Sequence, residues 1–186
     1  ATHNRPMVLD LSNMDQAEKL HFMLDFIETL HHRNRNPLHL VIDEADEFAP
    51  QNPLPEGRRL LHHIDRIVRR GRVRGFRIIN ITQRPAVLHK NVLTQSNSMV
   101  MHRLTSPQDR AAIEAWIKGN ADAARAKEVI DSLPSLPVGC AWVWCPSLNI
   151  LEKVQFPLIK TFDSSRTPGD DEVVQEIALK PLALED

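Results

Sequence analysis

Apolar positions along the chain alternate between short continuous runs and longer stretches at helical spacing, the pattern of an α/β protein. Residues 6–11 (PMVLDL) form a short apolar run that predicts a strand. Leu20, Met23, Leu24, Ile27 and Leu30 then recur at helical spacing and predict a helix ending near His32, with Asn13 and Gln16 as a capping-box-like start. Residues 38–42 (LHLVI) are mostly apolar and run straight into Asp43 and Glu44, which predicts a buried parallel strand with acids at its tip. Strand, helix and strand with a crossover of this length predict a βαβ unit.

Beyond the proline-rich loop 50–55, Leu60, Ile64, Ile67 and Val68 mark the buried stripe of a helix over 56–70, which Gly71 and Gly75 end. Residues 76–82 (FRIINIT) predict the next strand, 87–95 a short helix and 98–102 another strand. Ser106 as N-cap, Pro107 at the first helical position and Asp109 in the first turn open a helix that runs to Lys118 and stops at Gly119. A helix over 121–133 and a β-hairpin of 138–144 with 150–156 follow. The expected architecture is a mainly parallel sheet flanked by helices with a C-terminal β-hairpin, built from residues 1–162, with 163–186 as a polar tail. No internal repeat or low-complexity tract interrupts it.

Composition narrows the setting. The chain has 186 residues, 42% hydrophobic and 25% charged, enough for one domain or a large piece of one with a real core. A net charge of −1 supplies no global attraction to nucleic acid, although basic charge is concentrated locally. There is no signal peptide and no apolar run long enough to span a bilayer, so no membrane partner is expected and a reduced cytoplasmic setting is. The odd spacing of Cys140 and Cys145 puts them on opposite faces of a strand, which disfavours a mutual disulfide; both read as reduced core residues. Trp142 and Trp144 share one strand face, where packing against the body is favoured over base stacking. His31–His32 and His62–His63 are adjacent pairs whose rings point about 100° apart on a helix, so they read as exposed histidines, not metal ligands.

In open α/β sheets ligands sit beyond the carboxyl ends of the strands. Two predicted strands end there in polar groups, Asp43–Glu44 and Thr82–Gln83–Arg84. An apolar strand ending in two acids has the shape of a Walker B element, in which one carboxylate holds a hydrated Mg²⁺ and the next positions the water that attacks a γ-phosphate. A glutamine on the neighbouring tip both donates and accepts, as a γ-phosphate sensor needs. The bland alternatives are a solvated strand end and a loop glutamine. Between the two strands lie Arg58, Arg59, Arg66, Arg69, Arg70, Arg72, Arg74 and Arg77, with only Glu56 and Asp65 to balance them. Permanently charged planar forks suit phosphate, as a finger into a neighbouring subunit or along a DNA backbone; a solvated helix face is the alternative.

IDEADEF, GRVRG, FRIINITQRP, NVLTQSNSMVMHRL and SPQDR, in that order, resemble the HerA family of hexameric DNA-translocating ATPases, relatives of FtsK. The resemblance covers roughly residues 6–162 and rests on the ordered combination. It implies a RecA-like P-loop NTPase core, ATP and Mg²⁺ as cofactors, Asp43 on the metal, Glu44 as catalytic glutamate and Gln83 as sensor. It also implies a trans-acting arginine among Arg69 and Arg72, which spacing does not separate. Expected partners are double-stranded DNA, further copies in a homohexameric ring and a nuclease or other effector subunit.

One departure stands out. None of the six glycines belongs to a G-x-x-x-x-G-K-[ST] loop. The family carries that loop upstream, so the simplest expectation is a C-terminal piece of a longer ATPase that alone binds ATP poorly and hydrolyses it negligibly. A non-catalytic RecA-like assembly module is the competing expectation. Residues 43–46 spell DEAD, but neither a Ser-Ala-Thr nor a His-Arg-x-Gly-Arg element follows, against an RNA helicase of that type.

Overall fold

The computed structural model describes residues 6–119 and 121–160. The compact unit ends at Gln155; of the second unit, which begins at Phe156, residues 156–160 are described and carry no helix or strand. The predicted boundary between Phe162 and Asp163 lies outside the described residues, as does the polar tail.

The fold is α/β. Helix α1 (Gln16–Arg33) leads to β1 (Leu38–Ile42), the single-turn α2 (Ala45–Phe48) and α3 (Gly57–Arg70). A 3₁₀ turn, Gly71–Arg74, feeds β2 (Phe76–Asn80), then α4 (Lys90–Thr94) and β3 (Met99–Met101). Helices α5 (Pro107–Lys118) and α6 (Ala123–Ser132) precede β4 (Cys140–Cys145) and β5 (Ile150–Gln155). Strands β1 and β2 pair in parallel, Leu38 opposite Phe76 and Ile42 opposite Asn80. β3, β4 and β5 form a separate antiparallel sheet, with the C-terminal hairpin in its predicted place.

Local chemistry accounts for the elements. Asp15 accepts from the Glu18 N–H at 2.9 Å while Glu18 reaches back to the Asp15 N–H at 2.9 Å, a complete capping box. The start of α1 is thus Asp15 and Glu18, where Asn13 and Gln16 were expected. Ser106 and Pro107 open α5 and Gly119 caps it, as predicted. Gly75 takes φ +83° where β2 begins; a Cβ there would sit 3.0 Å from the Pro37 backbone, beside the Leu38 N–H to Gly75 carbonyl bond of 3.0 Å.

Two hydrophobic clusters hold the unit. Met23 and Ile27 of α1, Leu60, Ile64 and Ile67 of α3 and Ile42 and Phe76 of the parallel strands form the first. Ile113, Trp116 and Ile117 of α5, Val129 of α6 and Trp142 and Trp144 of β4 form the second. Leu93 of α4 packs against both. Trp116 and Trp144 meet edge to face at 5.1 Å, and the Trp142 indole N–H donates to Ser132 Oγ at 2.8 Å, so both strand tryptophans pack inward.

Four expectations are corrected. Residues 6–11 form no strand: they are largely exposed, and Asp10 Oδ1 instead accepts the Ser12 N–H at 2.9 Å in a turn before α1. An unpaired extended segment leaves its backbone groups without a ladder, so its apolar run does not suffice. Nor is the parallel pair buried on both faces. Leu38, Leu40 and Ile42 face the α1–α3 layer, while Val41, Ile79 and Ile81 remain 54%, 50% and 46% exposed on the other side. His31 and His63 are buried at the α1–α3 packing, not exposed. The cysteines are both free, but only Cys140 is buried; Cys145 is half-buried beside Ser98 and Ser147.

Candidate active site

The polar cluster stands at the carboxyl ends of β1 and β2. Pairing continues past both strands: the Ile81 N–H donates to the Ile42 carbonyl and the Ala45 N–H to the Ile81 carbonyl, each at 2.9 Å. Those two bonds carry Asp43–Glu44 and Thr82–Gln83 forward side by side. Glu44 turns the chain from β1 into α2 with φ 47° and ψ 47°, a left-handed conformation rare for a non-glycine residue. Such outliers cluster where surrounding structure has to aim a side chain.

The structure brings Glu44 and Gln83 together. Gln83 Nε2 donates to Glu44 Oε1 at 2.8 Å, from the tip of one strand to the tip of the other. Asp43 stands beside them, exposed, with Oδ1 accepting the Glu44 N–H at 3.0 Å. Two side chains to which the sequence reading gave no role, Asp46 and the strand-tip Thr82, complete the cluster. Asp46, 7% exposed, accepts from Thr82 Oγ1 at 2.5 Å, and the Arg84 N–H donates to the same hydroxyl at 2.9 Å. Alternation along β2 carried a usable signal: with Ile81 outward, Thr82 faces inward, and only a polar partner satisfies it there.

Arg69 and Arg72 are not brought to this cluster. Both lie before the amino end of β2, Arg69 in α3 and Arg72 in the 3₁₀ turn. At about 3.3 Å per residue, the span from Phe76 to Thr82 separates them from Gln83 by roughly 20 Å. Arg69 Nε is tied to Asp65 Oδ1 at 3.0 Å, and Arg59 to Glu28 at 2.8 Å. Arg72 is exposed and makes no ion pair among the described residues.

The residues present fit Mg²⁺ of the kind that phosphates help to hold. A free Asp43 oxygen at an open strand tip is a hard donor, and Mg²⁺ at nucleotide sites uses one or two carboxylates with water and phosphate. No group of three or more His, Cys, Asp or Glu forms a cage among the described residues, as that mode of binding requires none.

The fold is the RecA-like fold of solved nucleotide-binding NTPases. The genome-packaging NTPase B204 of Sulfolobus turreted icosahedral virus 2, in complex with ATP-γS, matches with a TM-score of 0.58 at 20% identity, over 81% of this chain and 66% of that one. The sequence is similar to HerA-type helicases: it is 27% identical over 153 residues, 82% of the chain, to a probable DNA double-strand break repair helicase HerA of Methanocaldococcus jannaschii. It is also 27% identical over 135 residues to the probable helicase MJ1565 of the same organism. The resemblance to HerA/FtsK-type ATPases read from the motifs is thereby supported by the relatives themselves. The chain spans about a quarter of the length of those curated relatives, 28% and 24%. No protein-family model matches it.

Proposed function

We propose that this chain supplies the hydrolytic half of an ATP-driven DNA translocase or helicase of the HerA type. The observation that carries the reading is the 2.8 Å bond between Glu44 and Gln83 on adjoining strand tips, with Asp43 at their side. Asp43 would hold Mg²⁺, which when bound neutralises phosphate charge. Glu44 positions the attacking water and accepts its proton. The water oxygen bonds to the γ-phosphorus as the bridging bond to the β-phosphate breaks, leaving ADP and phosphate. Gln83 answers to the γ-phosphate, exchanging its bond to Glu44 for one to the nucleotide.

The phosphate-cradling loop is absent from these 186 residues, so the whole protein carries the activity and the chain alone binds ATP weakly and turns it over negligibly. Double-stranded DNA is the proposed substrate and a homohexameric ring the working form. Arg69 or Arg72 is the arginine offered to a neighbouring subunit's site, and a nuclease or other effector is a partner consistent with repair-type relatives. The cytoplasm is the proposed location; among the described residues no helix is long and apolar enough to cross a membrane. A second reading, a non-catalytic RecA-like assembly module, is favoured by one observation, the missing Gly-Lys loop.

Glu44→Gln in the full-length protein separates the two. The motor reading expects turnover to fall about 10²–10⁴-fold, the range for losing a positioned base, with nucleotide binding retained. Unchanged hydrolysis would remove Glu44 from its role, and a full-length wild type that hydrolyses nothing would leave the assembly module.

A further inference from the structure

We infer that Asp46 and Thr82 are positioning residues for Gln83, setting how fast the site turns over while leaving nucleotide affinity alone; the inference rests on the reading of Glu44 and Gln83 given above. β2 ends at Asn80, so Gln83 stands on a loop, outside any ladder. Its amide nevertheless has to meet Glu44, or a phosphate oxygen, within hydrogen-bond tolerance. The residues on either side of it supply the constraint. Thr82 Oγ1 donates to Asp46 Oδ1 at 2.5 Å, the length of a charge-assisted bond. The same oxygen accepts the Arg84 N–H at 2.9 Å. One hydroxyl thus ties the residue before Gln83 to the residue after it, and both to a buried carboxylate.

That carboxylate shares a frame with the catalytic acid. Asp46 follows Glu44 by two residues in α2, and α2 is bonded to the β2 extension through the Ala45 N–H. Glu44 and Gln83 therefore hang from opposite ends of one short rigid path, Glu44–Ala45–Asp46–Thr82–Gln83. Further along the loop, the Ala86 N–H donates to Asp109 Oδ1 in the first turn of α5 at 2.9 Å, a second brace from the other hydrophobic cluster. A satisfied polar pair that merely holds the fold would make the same contacts, so the distinction lies in which kinetic constant responds.

In the full-length protein, Thr82→Val keeps the shape and loses both hydrogen bonds, Thr82→Ser keeps both, and Asp46→Asn keeps an acceptor but loses the charge. Thr82→Val is expected to lower kcat roughly ten- to hundredfold, the scale of a misplaced catalytic group, with nucleotide Kd within about twofold of wild type. Thr82→Ser restores most of the rate. The double variant with Asp46→Asn is no slower than Thr82→Val alone, because both act through one bond. Wild-type kcat in Thr82→Val, losses that add in the double variant, or a fall in affinity equal to the fall in rate would each overturn the inference. Should Thr82→Val not fold, Asp46→Asn decides, and wild-type kcat there overturns it too. An inactive wild type sinks the reading of the site itself; an active wild type silenced by Glu44→Gln but indifferent to Thr82→Val sinks this inference alone.

Discussion

Glu44 stands at φ 47° and ψ 47°, a conformation that costs an L-residue with a Cβ about 1–2 kcal/mol and that glycine adopts freely. Glu44→Gly is therefore expected to raise the stability of the domain by about 1 kcal/mol while abolishing hydrolysis, read by urea denaturation and by phosphate release. A stability loss would mean that the exposed bond to Gln83 outweighs the backbone relief. At this scale the sequence was informative where a residue's position on a strand tip dictated its surroundings, as for Asp43, Glu44 and Gln83. It was silent on the strained backbone, since nothing in IDEAD asks for a left-handed residue. It was silent too on Asp46, whose burial against Thr82 no spacing in the sequence announces.

Elements were legible where their ends carried chemistry. Ser106, Pro107 and Gly119 bracket α5 as predicted, whereas before α1 the Asn13–Gln16 spacing was read and the capping box forms two residues on, at Asp15 with Glu18. Packing between elements was not legible, and the buried histidines of α1 and α3 show its consequence. Burial, first, and then Arg74, Arg66, His32 and His63 lower the pKa of His31. Burial also lowers that of His63, aided by His62, Arg59 and His32 and opposed by Glu28. The Nδ1 atoms of both rings lack a hydrogen-bond partner among the described residues, so a second ring proton finds no acceptor there. The folded state thus keeps both rings neutral where the unfolded chain, titrating near 6.5, takes up protons. Stability is fully present above about pH 6.5 and falls as the pH drops through and below that value. Thermal melts across this window should show the fall, and His63→Leu should flatten it; an unchanged slope would place the titration elsewhere.

Across the whole molecule, the proposed arginines and the proposed acids occupy opposite ends of β2, so one copy cannot bring Arg69 or Arg72 to its own Glu44. Arg72→Ala, and in parallel Arg69→Ala, in the full-length protein should cut ATPase activity about 10³-fold, in the range reported by arginine-finger removal. Mixing the silent variant with Glu44→Gln subunits should restore part of the rate, since some interfaces then join an intact acid to an intact arginine. Absence of any recovery would argue that each copy works alone. Strand partnership was the part of the molecule least readable from residues: 98–102 was rightly a strand, but its short core, β3, lies against the hairpin and leaves β1 and β2 a ribbon of two. One side of that ribbon bears Val41, Ile79 and Ile81 open to water. Branched hydrocarbon on a two-stranded surface, its rims uncovered by any further strand among the described residues, is adhesive. Prepared by itself, this polypeptide should stick to its own kind as it is concentrated, and a lysine on that side would make it better behaved without touching the chemistry at the tips.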